Sequence, residues 1–374
     1  MAQRPAEIKA LSGARALPPL ILVLYHFCEG HGYRHLFVFD ALVAKGYLWV
    51  EFFFILSGFI LTHVYGQPGK SGFHYPSFLR ARLARLYPLH LFMLLAMLAL
   101  VLLLRWLGAQ GHYVSIYEQR YHPINTWQGF VASLFLVQAW NILPYLTWNG
   151  ASWFVSIEFL LCLLMPLYRL LAEGGLWRGI AIVTAGAAAL AFLAAASGHG
   201  LDLTFHNGIF RGMANFAIGT GLAMLYREAL GGGADRLPES AFSALQFAAV
   251  AALLYAIYRT GWAHRPSDIF VALAMALLIF TLAFDRGLVA RLMRTRPLLV
   301  LGSWSYAIYL GQTFWLQSIR YFEQRWYPNV DPAAIWWIEP FVLLAVCVVW
   351  GALLATFVEH PANAWLRGRM SQKG

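Results

Sequence analysis

Residues 88–107 read PLHLFMLLAMLALVLLLRWL, a run of twenty residues in which Arg105 is the only Asp, Glu, Lys or Arg. A helix rises about 1.5 Å per residue, so this run is long enough to cross a hydrocarbon core about 30 Å thick. The whole chain of 374 residues shares this character, because 60% of it is hydrophobic and only 12% is charged. A soluble domain carries about 25% charged residues. The composition therefore excludes an ordinary soluble enzyme and predicts an integral membrane protein.

Ten segments are apolar and long enough to be predicted as membrane-spanning helices. They are residues 12–29, 47–65, 88–107, 152–171, 178–197, 208–227, 241–260, 268–284, 298–318 and 335–357. A shorter apolar run at 129–143 is predicted to be re-entrant or half-inserted, with an eleventh crossing as the alternative. We therefore expect an all-α, polytopic membrane helix bundle. It should form a single transmembrane domain over residues 1–374, with no fused soluble domain.

The basic residues predict how this bundle is oriented. Of the 27 Lys and Arg residues, 18 fall in the two terminal segments and in the loops predicted to lie on the same side as them. Lys and Arg are retained on the cytoplasmic side of membrane proteins. Both termini are therefore predicted to be cytoplasmic, and the net charge of +10 does not call for a nucleic-acid partner.

Four ionisable residues lie within predicted helices, towards the outer side of the membrane: His26, Glu51, Glu158 and Arg211. A charged side chain near the bilayer centre costs about 2.5–3.5 kcal/mol, so each needs a partner or a function. A neutral histidine held by a carboxylate is suited to take a proton from a hydroxyl. His26 is thus the predicted general base, oriented by Glu51 or Glu158. The alternative is that these groups form buried ion pairs that fix the packing of the helices.

Basic residues also cluster at the cytoplasmic mouth of the third predicted helix. Arg82 and Arg85 are three residues apart and so face the same way on a helix. Guanidinium groups bind phosphate or carboxylate bidentately, although a basic cluster here would also anchor the helix at the membrane surface. Arg15 faces the same leaflet and precedes His26 by eleven residues, which is about 16 Å along a helix. One helix would therefore link an anion site to the predicted base.

The three cysteines, Cys28, Cys162 and Cys347, lie in apolar runs and show no C-x-x-C spacing. Neither a disulfide framework nor a zinc site is predicted from them. The histidines and carboxylates also lack the spacing of metal ligands, so no metal is expected.

Several of these polar residues lie in motifs that occur together in one family. Residues 11–26, LSGARALPPLILVLYH, carry an Arg and a His separated by ten residues, and residues 46–60 read GYLWVEFFFILSGFI. Arg82 and Arg85 form an R-x-x-R element. Further motifs are WFVSIEFLLCLLMP at 153–166, GSWSYAIYLGQ at 302–312 and EHP at 359–361. In this order, and over nearly the whole chain, they resemble the acyltransferase-3 family of bacterial membrane O-acyltransferases.

The sequence departs from that family's pattern at three places. Glu51 stands where the family usually has Asp, which keeps the charge on a longer side chain. Pro18 and Pro19 should distort the first helix. Gln312 stands where the family often has His, and an amide can form hydrogen bonds but cannot serve as an acid or a base.

The resemblance implies an acyltransferase of the bacterial inner membrane whose donor is acyl-CoA, usually acetyl-CoA, bound from the cytoplasm without a metal. The implied acceptor is a hydroxyl of an exopolysaccharide, a lipopolysaccharide or a lipid-linked glycan. Arg15, Arg82 and Arg85 would bind the donor, and His26 would act with Glu51 or Glu158. The acceptor side would be lined by Trp153, Arg211, Tyr306 and Gln312. Transfer could be direct or pass through an acylated histidine, and a homo-oligomer or a polysaccharide-assembly complex is compatible with this family.

Two other functions stay open from the sequence. A transporter or flippase for an anionic glycolipid or metabolite would also use a cavity with Arg, His and Glu. Against it, the chain has no paired interrupted helices and no internal repeat of the kind that transporters show. A non-catalytic scaffold of an envelope-polysaccharide complex would use the same polar groups only for packing.

Overall fold

The computed structural model describes residues 6–31, 39–66, 73–109, 125–261, 263–326 and 337–371. Over these ranges the chain is helical and contains no β-strand, so the predicted all-α class is confirmed. The helices in chain order are α1 (Lys9–Ala14), α2 (Leu17–His31), α3 (Asp40–Ala44), α4 (Trp49–Tyr65), α5 (Tyr75–Ala109), α6 (Trp127–Leu134), α7 (Ser152–Leu163), α8 (Met165–Leu171), α9 (Leu176–Ala196), α10 (Gly208–Gly231), α11 (Glu239–Thr260), α12 (Ile269–Leu282), α13 (Leu288–Met293), α14 (Arg296–Trp326), α15 (Glu339–Leu354) and α16 (His360–Ser371). Short 3₁₀ turns occupy Gly46–Leu48, Ala234–Arg236 and Pro266–Asp268, and a π turn at Ala355–Glu359 joins α15 to α16.

Six helical segments of the described chain are long and apolar enough to cross a membrane. They are Lys9–His31, Gly46–Tyr65, Tyr75–Gly108, Leu176–Ala196, Glu239–Thr260 and Glu339–Leu366. The pair α7 and α8 would be a seventh, bent by 60° at its break. Where the structure describes them, the ten predicted segments each overlap one helix or two consecutive helices. The number of ten crossings and the side on which the termini lie stay predictions.

The first span is broken in the middle, between α1 and α2. Arg15 caps α1, and Pro18 and Pro19 lie in the first turn of α2. Proline lacks a backbone N–H and its ring clashes with the preceding turn, so it is tolerated at the start of a helix and interrupts it elsewhere. The two prolines therefore explain why the helix restarts here, and the break leaves Arg15 between two helices.

The run at 129–143 does not form a long helix. Its apolar residues begin in α6, which has eight residues and is therefore about 12 Å long, too short to cross a bilayer. The chain then continues to Ala151 through irregular turns, with Leu136, Asn141 and Trp148 at positive φ. This segment therefore packs onto the bundle as a short helix followed by a loop.

Helices α4 and α10 pack closely because each has a glycine at their interface. A Cβ atom at Gly58 would lie 2.2 Å from the carbonyl oxygen of Phe216, and one at Gly219 would lie 2.0 Å from that of Ile55. Small residues let helix backbones approach in membrane proteins. This close approach places Glu51 of α4 within reach of Arg211 of α10.

Candidate active site

A partly open cavity of about 140 Å³ lies among the α1–α2 break, α4, α5, α7 and α14. All three arginines predicted to bind the donor line it, namely Arg15, Arg82 and Arg85. Glu158 and Tyr306 line the same cavity. Three guanidinium groups around one cavity make it strongly attractive to an anion such as a phosphate. The sequence separated the arginines and Glu158 into two sites, whereas the structure brings them together.

Glu158 is held by groups of this cavity. Its Oε1 accepts hydrogen bonds from Arg82 at 2.7 Å and from the hydroxyl of Ser57 at 2.5 Å. Its buried Oε2 has no hydrogen-bond partner among the described residues. Glu158 therefore partners Arg82 and Ser57, in place of the predicted partnership with His26, because α7 and α5 cross at this level.

Tyr306 also lines the cavity. The sequence motifs predicted Tyr306 on a separate acceptor side, away from the arginines. Its hydroxyl donates to the carbonyl oxygen of Leu86 at 2.7 Å, which links α14 to α5. The neighbouring Ser305 is fully buried, lines the cavity, and has a hydroxyl without a hydrogen-bond partner among the described residues. Together with Glu158 Oε2, it leaves two buried polar atoms at the cavity for a ligand or water to satisfy.

His26 lies further along α2 and contacts Gln312 of α14. The Nδ1 atom of His26 is 3.2 Å from Gln312 Oε1, and Gln312 Nε2 donates to the carbonyl oxygen of Tyr309 at 3.0 Å. Because the amide nitrogen of Gln312 donates elsewhere, its oxygen is the acceptor and His26 Nδ1–H is the donor. A neutral imidazole protonated at Nδ1 keeps its basic lone pair on Nε2. The residue that holds the ring is thus Gln312, in place of the predicted carboxylate.

Glu51 and Arg211 form a buried ion pair between α4 and α10. Arg211 Nε donates to Glu51 Oε1 at 2.6 Å, and Asn215 donates to the other carboxylate oxygen. Arg211 also donates to the carbonyl oxygens of Leu203 and Tyr47, at 3.0 and 2.9 Å. Both partners are fully buried and both oxygens of Glu51 are occupied. These contacts match the alternative that Glu51 and Arg211 form an ion pair that fixes the packing of the helices. The side chain that contacts His26 is Gln312, and not Glu51 as the sequence predicted.

Trp153 lies beside this ion pair. The guanidinium carbon of Arg211 is 5.6 Å from the centroid of the Trp153 ring, within range of a cation–π interaction. His26 is connected to the same region through aromatic rings, since the Tyr25 ring lies 5.2 Å from His26 and 5.9 Å from Tyr47. Of the residues predicted for the acceptor side, Trp153, Arg211 and Gln312 therefore belong with His26 to one group of contacts, the His26 level of the bundle.

A second buried ion pair went unnoticed in the sequence. Lys45 Nζ donates to Asp268 at 2.7 Å and to the carbonyl oxygen of Ala263 at 2.6 Å, and Tyr47 donates to the other oxygen of Asp268. Lys45 and Asp268 are both fully buried. Neither residue stood out in the sequence, because no local pattern links residues more than two hundred positions apart.

The three cysteines are free and buried. Among the residues that the structure describes, no group of three or more His, Cys, Asp or Glu side chains could hold a metal ion.

The sequence has clear relatives. A family model described as "Acyltransferase domain" matches residues 8–358. This chain belongs to that acyltransferase family. "Acyltransferase MdmB" of Streptomyces mycarofaciens is 29% identical over 401 aligned residues, which cover 99% of this chain and 95% of that protein. "Protein 2 in picA locus" of Rhizobium radiobacter is 39% identical over 110 residues, 29% of this chain and 53% of that protein. No solved structure matches significantly.

The family match confirms the resemblance read from the motifs. It covers the α1–α2 break, the cavity and both ion pairs, so every side chain described in this subsection falls within the matched region. The protein is accordingly a membrane acyltransferase with several apolar helices. The family match alone does not identify its acyl donor or its acceptor.

Proposed function

We propose that this acyltransferase moves an acyl group, specifically acetyl, from cytoplasmic acyl-CoA to a hydroxyl of a saccharide or lipid-linked glycan at the outer side of a bacterial inner membrane. The observation that carries the proposal is that two features occur along the first span and along α14. Arg15, at the α1–α2 break, and Tyr306 of α14 line the basic cavity, and His26 and Gln312 stand further along α2 and α14.

Two features support CoA as the donor: the positive charge of the cavity, and the distance from the cavity to His26. Arg15, Arg82 and Arg85 would bind the phosphates of CoA, which carry several negative charges. The extended arm of CoA, which contains two amides, would run from there towards His26, about 16 Å away along the first span. Glu158 Oε2 and Ser305 Oγ are unpartnered buried atoms at the cavity, and they would take hydrogen bonds from these amides.

The reaction needs a base at the end of this path. Nε2 of His26 would take the proton of the acceptor hydroxyl as its oxygen attacks the thioester carbonyl. A C–O bond forms, the C–S bond breaks, and the CoA thiolate leaves and takes the proton from His26. Gln312 would hold the imidazole in the required tautomer. Trp153 would suit a polar acceptor with sugar rings, and Arg211, which is fully buried in its ion pair with Glu51, would support the Trp153 ring from behind.

The test compares two histidines of the same helix. The wild-type protein, His26→Gln and His31→Gln are purified in lipid nanodiscs, and release of free CoA from acetyl-CoA is measured with a thiol reagent. In parallel, envelope glycans of cells producing each protein are compared by mass spectrometry. We expect His26→Gln to lose about 10²–10⁴-fold in rate and to leave glycans unacetylated, while His31→Gln keeps both activities.

Two outcomes would contradict the proposal. Normal acetylation with His26→Gln at equal protein level would remove the proposed base. If the wild-type protein neither binds nor consumes acetyl-CoA but moves an unmodified glycolipid across the membrane, the transporter alternative replaces the enzyme.

A further inference from the structure

Three aromatic side chains, one from each of three helices, line the basic cavity and contact one another. Phe53 belongs to α4, Phe154 to α7 and Tyr309 to α14. All three line the cavity. They are also in mutual contact, with ring centroids 5.8 Å apart for Phe53 and Phe154, 5.7 Å for Phe154 and Tyr309, and 6.3 Å for Phe53 and Tyr309.

Each ring stands one helical turn from a polar residue of the cavity. Phe53 is four residues from Ser57, Phe154 is four from Glu158, and Tyr309 is four from Ser305. Four residues correspond to about 6 Å along a helix. The rings therefore form a single layer beside the polar level of the cavity.

The residues next to the rings in the direction away from the polar cavity residues belong to the His26 level. Tyr309 is three residues before Gln312, whose amide donates to the Tyr309 carbonyl oxygen and whose oxygen contacts His26. Phe154 directly follows Trp153, and Phe53 comes two residues after Glu51. On three helices the order is thus the same: a polar cavity residue, an aromatic ring, and a residue of the His26 level.

We infer that these three residues, the aromatic constriction, determine which acyl chains the enzyme accepts. The inference rests on the proposed function, since it assumes that the thioester of acyl-CoA travels from the arginines to His26. A thioester on that path must pass beside these rings, whose close packing limits the width available to the acyl chain. An acetyl group adds little bulk to the narrow CoA arm, whereas each further methylene needs additional space that the rings fill.

The three rings form part of the wall of the 140 Å³ cavity. An apolar pocket that lacks room for one more methylene discriminates by about 10-fold or more between neighbouring chain lengths. Removing one ring should therefore relax the selection for chain length without changing how the phosphates are bound.

The experiment uses Phe53→Leu, with Phe52→Leu as the matched control. Phe52 is the preceding residue on α4, is buried, and does not line the cavity. Turnover of acetyl-CoA, propionyl-CoA, butyryl-CoA and hexanoyl-CoA is measured for each full-length protein in nanodiscs. We expect the ratio of butyryl to acetyl turnover to rise by about tenfold in Phe53→Leu and to stay at the wild-type value in Phe52→Leu. The affinity for CoA without an acyl group should be the same in all three proteins.

The outcomes separate this inference from the proposed function. If the wild-type protein turns over acetyl-CoA but the chain-length ratio is the same in Phe53→Leu and in a second variant, Phe154→Leu, the constriction is refuted and the acyltransferase reaction stands. An equal rise in both Phe53→Leu and Phe52→Leu would also refute it, because the effect would then come from general loosening of α4. A wild-type protein that uses no acyl-CoA would overturn both.

Discussion

The hydrogen bond between His26 and Gln312 determines which ring nitrogen of the histidine carries its proton. Gln312 is fully buried, and its amide is fixed at the other end by the carbonyl oxygen of Tyr309 at 3.0 Å. An amide oxygen that accepts from Nδ1–H leaves Nε2 as the basic atom. The amide thus supplies orientation to His26 without adding a charge, while the nearby carboxylate of Glu51 is taken up by Arg211 and Asn215.

Replacing Gln312 by Leu should therefore slow the reaction without weakening donor binding. The imidazole loses its fixed tautomer, so we expect kcat to fall by about 10–100-fold, below the effect of removing the base itself. The KM for acetyl-CoA should not change, because the arginines are untouched. The measurement is steady-state kinetics in nanodiscs. Gln312→Glu, which keeps an acceptor oxygen at the same place, should retain more activity than Gln312→Leu. Equal loss in both variants, or a rise in KM alone, would contradict this role.

Arg82 has two roles that a pair of variants can separate. It is the ion-pair partner of Glu158, at 2.7 Å, and it lines the proposed donor cavity. Arg82→Ala leaves a buried carboxylate without its cation, so we expect the free energy of unfolding to fall by about 3 kcal/mol. The double variant R82A/E158Q removes that carboxylate charge as well and should recover most of the stability. Thermal unfolding in detergent gives the comparison.

The affinity for acyl-CoA, unlike the stability, should not recover in the double variant R82A/E158Q. If Arg82 binds the phosphates, acyl-CoA affinity stays low in the double variant although the fold is stable again. Recovery of both stability and affinity would mean that Arg82 serves only to hold α5 against α7.

At the scale of single elements, the packing of α4 against α10 positions Glu51 and Arg211 beside the site. Glu51 and Arg211 can meet as a buried ion pair because Gly58 and Gly219 allow the two backbones to come close. Helix association in membranes depends on such close packing, since lipid offers no hydrophobic drive between helices. Burying two charges costs free energy of desolvation, which their mutual attraction offsets only at close range. The ion pair therefore depends on the close approach of the two helices.

Gly219→Ala should separate these helices. Its new Cβ would lie 2.0 Å from the carbonyl oxygen of Ile55 and 2.7 Å from the amide nitrogen of Phe59, both rigid backbone atoms. We expect a loss of stability of about 1–3 kcal/mol and a parallel loss of transferase activity. Gly231→Ala is the matched control on the same helix, since nothing lies within 4 Å of its Cβ position. Unfolding temperature and CoA release are measured for both. A Gly219→Ala protein as stable as the control would show that the α4–α10 contact is not tight.

At the scale of the whole molecule, the sequence was sufficient to predict the helices but not the pairing of their side chains. Segments such as 208–227 and 241–260 correspond to α10 and α11 within a few residues, because hydrophobic runs are a local property. The contacts of Glu158 with Arg82 and of Lys45 with Asp268 join residues 76 and 223 positions apart. Such contacts depend on which helices are neighbours, and spacing along one helix carries no information about that.

The site shows the same division between local and non-local information. The separation of Arg15 from His26 along one span was predictable from helix geometry, and so was the shared face of Arg82 and Arg85. Gln312 as the partner of His26 was not, because the two residues are 286 positions apart. The aromatic constriction was equally hidden, since Phe53, Phe154 and Tyr309 are ordinary apolar residues in their own segments.

The arrangement of the first and last spans predicts that both termini are on the same side of the membrane. Arg15 lies near the start of the first span, and Glu359 lies near the end of the last one, in the π turn after α15. The π turn packs against α5 and α14, the helices that contribute Arg82, Arg85 and Tyr306 to the cavity that Arg15 also lines. The first span therefore begins, and the last one ends, at the end of the bundle where the cavity lies. The excess of Lys and Arg predicts that this end faces the cytoplasm.

Cysteine labelling in intact cells tests this orientation. A membrane-impermeant maleimide should react with His199→Cys, which is exposed between α9 and α10 on the predicted outer side. It should not react with Gln3→Cys or Gln372→Cys until the cells are permeabilised. The native cysteines are buried, so the wild-type protein gives the background. If one terminal variant is labelled in intact cells and the other is not, the number of crossings is odd. If both are labelled, the arginine cavity opens to the outside, and a cytoplasmic CoA donor could not reach it.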